Sequence, residues 1–74
     1  MQLYTFKTNI KSPKTANILS NLLPLYFKIV YIKFDLKGVN GILRIKGENL
    51  TPDKIQTTIK EFGYRCKIVS YWKA

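Results

Sequence analysis

Two junctions divide this chain, Ser12-Pro13-Lys14-Thr15 and Thr51-Pro52-Asp53-Lys54. Each reads as a helix start. Ser12 and Thr51 carry hydroxyls that can cap free backbone N–H groups. Pro13 and Pro52 suit the first helical position, where a missing N–H costs nothing. After the first junction, Ala16, Leu19, Leu22 and Leu23 recur at helical spacing, and Pro24 is expected to end the run. After the second, Asp53 complements the positive helix end, Ile55, Ile59 and Phe62 form the expected buried stripe, and Gly63 stops the helix as a left-handed residue.

The segments around these helices alternate with period two. "QLYTFKTNI" places Tyr4, Phe6, Thr8 and Ile10 on one side, and Leu3, Thr5, Lys7 and Asn9 on the other. "KIVYIKFDL" places Val30, Ile32, Phe34 and Leu36 together, against Ile29, Tyr31, Lys33 and Asp35. "KGVNG" is turn chemistry, since Gly and Asn tolerate positive φ. "ILRIKG" follows as a short strand with Leu43 and Ile45 inward, completing a hairpin. In "YRCKIVSYW", Tyr64, Cys66 and Ile68 oppose Arg65, Lys67 and Val69. The order β-α-β-β-α-β predicts an α+β ferredoxin-like sandwich: a four-stranded antiparallel sheet with both helices on one face and solvent on the other. Residues 1–74 are expected to form a single domain with one small core.

Thirteen Lys and Arg stand against four acids, a net charge of +9, and they are spread along the chain rather than gathered in a tail. Such a surface attracts something acidic: nucleic acid, anionic lipid or an acidic protein. At 46% hydrophobic the chain can fold without staples, and its one cysteine forms no internal disulfide. Lysines interrupt every apolar stretch, so neither a membrane span nor a signal peptide is expected, and the default location is cytoplasmic. With no His, one Cys and scattered acids at Asp35, Glu48, Asp53 and Glu61, no nucleophile–base or carboxylate pair presents itself. The chain is expected not to be an enzyme and to need no cofactor.

Four features then acquire a common meaning: "FKTNI" leading into the first helix, "FDL" late in the second strand, "LTPDKIQTTI" opening the second helix and "EFGY" closing it. In this order the chain resembles a heavy-metal-associated domain, the fold of small copper chaperones and of modules in metal-pumping ATPases. The resemblance runs from about Leu3 to Val69. The family's two metal-binding cysteines fall on Ser12 and Thr15, and its frequent methionine falls on Ile10. Copper(I) needs soft thiolates, zinc needs thiolate, imidazole or carboxylate, and a neutral hydroxyl is a poor substitute for either. Lys11 and Lys14 would also repel a cation, so the resemblance implies a domain without its metal. Parity points Cys66 into the core as a small hydrophobe; the alternative is an ion shared between Cys66 thiols of two chains.

Two surfaces follow as candidates. The helix start offers Lys11, Ser12, Lys14 and Thr15 to an anion or an acidic partner. The resemblance implies docking there and adds Tyr64, which matches a tyrosine near the family's metal loop. The open sheet face should carry Lys7, Lys33, Arg44, Lys46, Arg65 and Lys67. RNA-recognition modules of this architecture stack bases on aromatics of the central strands. Here only Tyr31, on an outer strand, is exposed by parity, so nucleic-acid binding would be nonspecific and electrostatic. Tyr71 and Trp72 either cover the end of the core or pack on a second copy, which keeps a homodimer open. The leading expectation is a nonenzymatic adaptor docking on an acidic protein; the alternatives are copper handling with unusual ligands and nonspecific nucleic-acid binding.

Overall fold

The computed structural model describes residues 1–73, without the side chains of Trp72 and Lys73. Six elements follow one another: β1 (Gln2–Thr8), α1 (Pro13–Tyr26), β2 (Ile29–Asp35), β3 (Gly41–Gly47), α2 (Pro52–Glu61) and β4 (Cys66–Lys73). The strands form one antiparallel sheet in the order β2-β3-β1-β4. This is the α+β ferredoxin-like arrangement that the element order predicts. Among the described residues, no helix is long and apolar enough to cross a membrane.

The core begins on the two central strands. Tyr4, Phe6 and Thr8 alternate inward along β1 and lie directly across from Ile45, Leu43 and Gly41 of β3. Ala16, Leu19 and Leu23 of α1 and Ile55 and Ile59 of α2 bury against the same cluster, so both helices cover one face. Fully burying an aliphatic or Phe side chain stabilises by about 1.5–3 kcal/mol. Phe6, Leu43, Ile45, Ile55 and Ile59 have no exposed surface and each gain on that scale.

Polar groups inside this core are paired. The Thr8 hydroxyl donates to Gly41 O at 2.9 Å and accepts from the Ile10 N–H at 3.2 Å. The Tyr4 hydroxyl donates to Leu50 O at 3.1 Å, while the Leu50 N–H donates to Gln2 Oε1 at 2.7 Å. Thus the chain entering α2 is pinned to β1 at both backbone groups of Leu50.

Several local expectations need correction. Helix α1 does not stop at Pro24 but runs to Tyr26, with Pro24 inside its last turn. The proline ring is exposed, and fully buried Leu23 holds the turn before it while its carbonyl accepts the Phe27 N–H at 3.1 Å. Thr51 occupies the N-cap of α2 without a side-chain hydrogen bond. Only its carbonyl engages, accepting from Lys54 and Ile55 N–H. Phe62 lies past the end of α2, 39% exposed, and leaves the buried stripe to Ile55 and Ile59. Among the described residues, positive φ occurs at Asn49 and Gly63 and not in the "KGVNG" turn.

The parity of β2 also changes. The β2–β3 register shifts between Ile29 and Tyr31, so Val30 is an extra residue and is 61% exposed. Ile29 therefore packs on the core with Ile32 and Phe34 instead of facing outward. A matching shift against β1 makes Val69 the extra residue on β4. Beyond it Tyr71 returns to the inner side, its ring 4.9 Å from that of Tyr4. The expected role of the Trp72 side chain lies outside the described residues.

Gly41 is required for close approach. A Cβ there would collide with Ile10 O and stand 2.7 Å from Thr8 Oγ1. Gly41→Ala is expected to destabilise by about 1–3 kcal/mol, the usual cost of overpacking. Gly38→Ala, whose Cβ would meet nothing nearer than Asn40 O at 3.8 Å, serves as the control and should change stability by less than about 0.5 kcal/mol. Denaturant unfolding of the two variants checks this.

Candidate functional site

The open sheet face is laid out by register in three rows that run across β2, β3, β1 and β4. Tyr31, Lys46 and Leu3 align with the backbone of Trp72. Lys33, Arg44, Thr5 and Ser70 form the next row. Asp35, Ile42, Lys7 and Lys67 form the third. Lys7, Lys33, Arg44, Lys46 and Lys67 are all exposed, as is Arg65 one residue before β4. The register thus brings five of the expected cations together on this face, while Arg65, before β4, stands at the sheet's end between this face and α2.

Their arrangement matters as much as their number. Lys33 stands directly opposite Arg44, and Lys7 directly opposite Lys67. Opposed residues on antiparallel strands have Cβ atoms roughly 4.5–5.5 Å apart, where like charges destabilise. Asp35 shares the face, but its Oδ1 accepts the Lys37 N–H at 3.1 Å and is tied to its own turn. The face also carries Tyr31, 45% exposed, at its β2 border.

The helix start is a separate surface. Lys11, Ser12 and Lys14 are exposed and Thr15 is half-buried. Ser12 Oγ accepts the Thr15 N–H at 3.4 Å, and Ser12 O accepts the Ala16 N–H at 3.0 Å. Pro13 has no N–H, so the cap itself uses most of the donors that an anion would need. Ile10, at the place of the family's methionine, is buried in the core. Tyr64 is half-buried and packs on the core; with Arg65 and Cys66 it lines an open groove of about 560 Å³ beside Gln56 and Lys60 of α2. Among the described residues, no three of His, Cys, Asp and Glu gather as a ligand set.

Cys66 packs partly buried against the core, and burial pushes its thiol from an ordinary 9.0 up to about 12. A thiol held this way stays protonated and is a weak nucleophile and ligand. Burial, and next the neighbouring Tyr71, also raise the Tyr4 phenol, which donates its proton to Leu50 O. Sequence reasoning missed a further group, Asn9. Its Oδ1 accepts the Arg65 N–H at 2.8 Å and its own N–H donates to Arg65 O at 3.4 Å, tying the end of β1 to the start of β4. Only the β1–β4 pairing joins these residues, and no local pattern signals it.

An acid whose folded form holds its proton more tightly contributes stability that is intact below its unfolded value and lost as pH rises toward the folded one. For Cys66 that window runs from 9.0 to about 12. The stability margin of the wild type over Cys66→Ala should therefore shrink as the pH rises from about 9 toward about 12. Denaturant unfolding of both proteins at each pH measures it, and a constant margin would refute the raised thiol. In comparisons with known proteins, no family model, no curated protein and no solved structure matches this chain.

Proposed function

We propose that this chain is a nonenzymatic binding domain that docks its open sheet face on an acidic protein partner. The observation carrying this reading is the pair of like-charge oppositions, Lys33 with Arg44 and Lys7 with Lys67. The fold tolerates a repulsion that an acidic counter-surface would turn into attraction. Lys11 and Lys14, exposed at the start of α1, form a second contact, as the resemblance to heavy-metal-associated domains implies. Under the same resemblance the chain is a domain of that type whose metal loop holds the hydroxyls of Ser12 and Thr15 in place of thiolates. The ferredoxin-like strand order and the position of these two residues at the first helix start support it.

A second reading, nonspecific nucleic-acid binding, draws on the same cations and on Tyr31, exposed directly across from Lys46. Polyglutamate and a single-stranded oligonucleotide separate the two. Acidic-protein docking predicts polyglutamate binding at about 0.1 M salt, where exposed charges still act over about 10 Å. Arg44→Glu should weaken it about fivefold, the equivalent of about 1 kcal/mol for an exposed charge contact. Oligonucleotide binding with a steep salt dependence, weakened by Lys46→Glu and without affinity for polyglutamate, would select the second reading. Titration with copper(I) against a competing chelator should show no tight site. Stoichiometric binding lost on Cys66→Ser would replace both readings with metal handling.

A further inference from the structure

At the end of the β1–β4 pair, beside the open face, lies a depression of about 350 Å³ whose lining includes three cations and two amides. Lys7 and Lys67, cross-strand neighbours, both line it, and Arg65 joins them two residues before Lys67. Asn9 lines the same space, with Oδ1 already occupied by the Arg65 N–H, so the end of its amide left for a ligand is the NH₂. Asn40 reaches it from the β2–β3 turn. Of the remaining lining residues, Thr8 has its hydroxyl engaged with Gly41 O and Ile10 N–H, and Cys66 is a protonated thiol. Among the described residues, no acid lines the depression.

We propose that this depression seats a phosphate monoester dianion, presented by the protein partner as a phosphorylated side chain. The proposal rests on the reading of the open face as a docking surface and names the group recognised there. Charge and geometry separate the monoester from its rivals. Three cations around one carboxylate leave two charges unmatched, and a carboxylate offers only two oxygens. A backbone phosphodiester also carries a single charge. A phosphomonoester brings a charge of about −1.5 to −2 and three strong acceptor oxygens. The Arg65 fork can hold two of them, with the lysines and the two amides completing the shell. The opposition of Lys7 and Lys67 adds to this, because two of the three cations are like charges held across one strand pair.

Thermal unfolding in inorganic phosphate and in chloride, at matched ionic strength and about pH 8, tests the proposal. At about ten times the dissociation constant, phosphate should raise the wild-type Tm by about 5 °C or more. Lys67→Gln should melt higher than the wild type in chloride, since it removes the opposition, and should lose most of the phosphate-dependent rise. Lys54→Gln removes an equal charge on α2, outside the depression, and should keep it. Lys7→Gln and Arg65→Gln repeat the test if Lys67→Gln folds poorly. Equal rises in all variants, or none in the wild type, would overturn the proposal. So would an oligonucleotide that matches inorganic phosphate at equal phosphate concentration, since a phosphodiester would then suffice. Polyglutamate binding without a phosphate effect would remove the phosphate site and leave the docking surface. A phosphate effect without polyglutamate binding would do the reverse.

Discussion

Thr8 and Gly41 face each other across the two central strands, and the backbone of Ile10 passes over them too closely to admit a side chain at position 41. The Thr8 hydroxyl closes this junction from both sides, donating to one chain segment and accepting from the other. Everything around it depends on that fit. It ends β1, turns buried Ile10 into the core and delivers the chain to Ser12, where α1 can begin. It also sets Asn9 against Arg65, which registers the start of β4 beside β1. At the other end of β3, Gly47 lies under Lys28 O in the same way, and Glu48 N–H donates to that carbonyl at 3.0 Å. The glycines bounding β3 thus mark where neighbouring loops press on the sheet.

Much of this was legible because strand parity and helix starts are local. Tyr4, Phe6, Thr8 and Ile10 alternate, and all four are buried. Ala16, Leu19 and Leu23 keep the helical period and fill the core from the other side. What escaped were events that add or remove one residue without a distinctive residue type. Val30 and Val69 look like ordinary strand valines, yet each is the extra residue of a register shift that inverts the parity beyond it. Pro24 looks like a helix end, but burial of Leu23 outweighs one forfeited backbone bond in a solvent-facing last turn.

The candidate surface divides along the same line. Lys7, Lys33, Arg44, Lys46 and Lys67 could be assigned to one face by counting in twos, and the register places them there. Which cation faces which could not be counted, because it depends on pairings between distant strands. Lys7 and Lys67 meet only because the first and last strands are neighbours. The role of Asn9 follows from a bond to a backbone group 56 residues away. Tertiary pairing, rather than any local motif, turns a basic composition into a patterned surface.

The two register shifts carry a consequence for the borders of the sheet. An exposed border strand offers a row of backbone groups on which another chain can add, the first step toward fibrous aggregation. Here both border strands, β2 and β4, are interrupted, by Val30 and by Val69. Lys33 and Lys67 add charge to these strands, and on β4 the Ile68 N–H is taken by Gln56 Oε1 at 2.7 Å. A small chain that is nearly half apolar thereby has borders that are poor templates for polymerisation, while its broad charged face stays open to association.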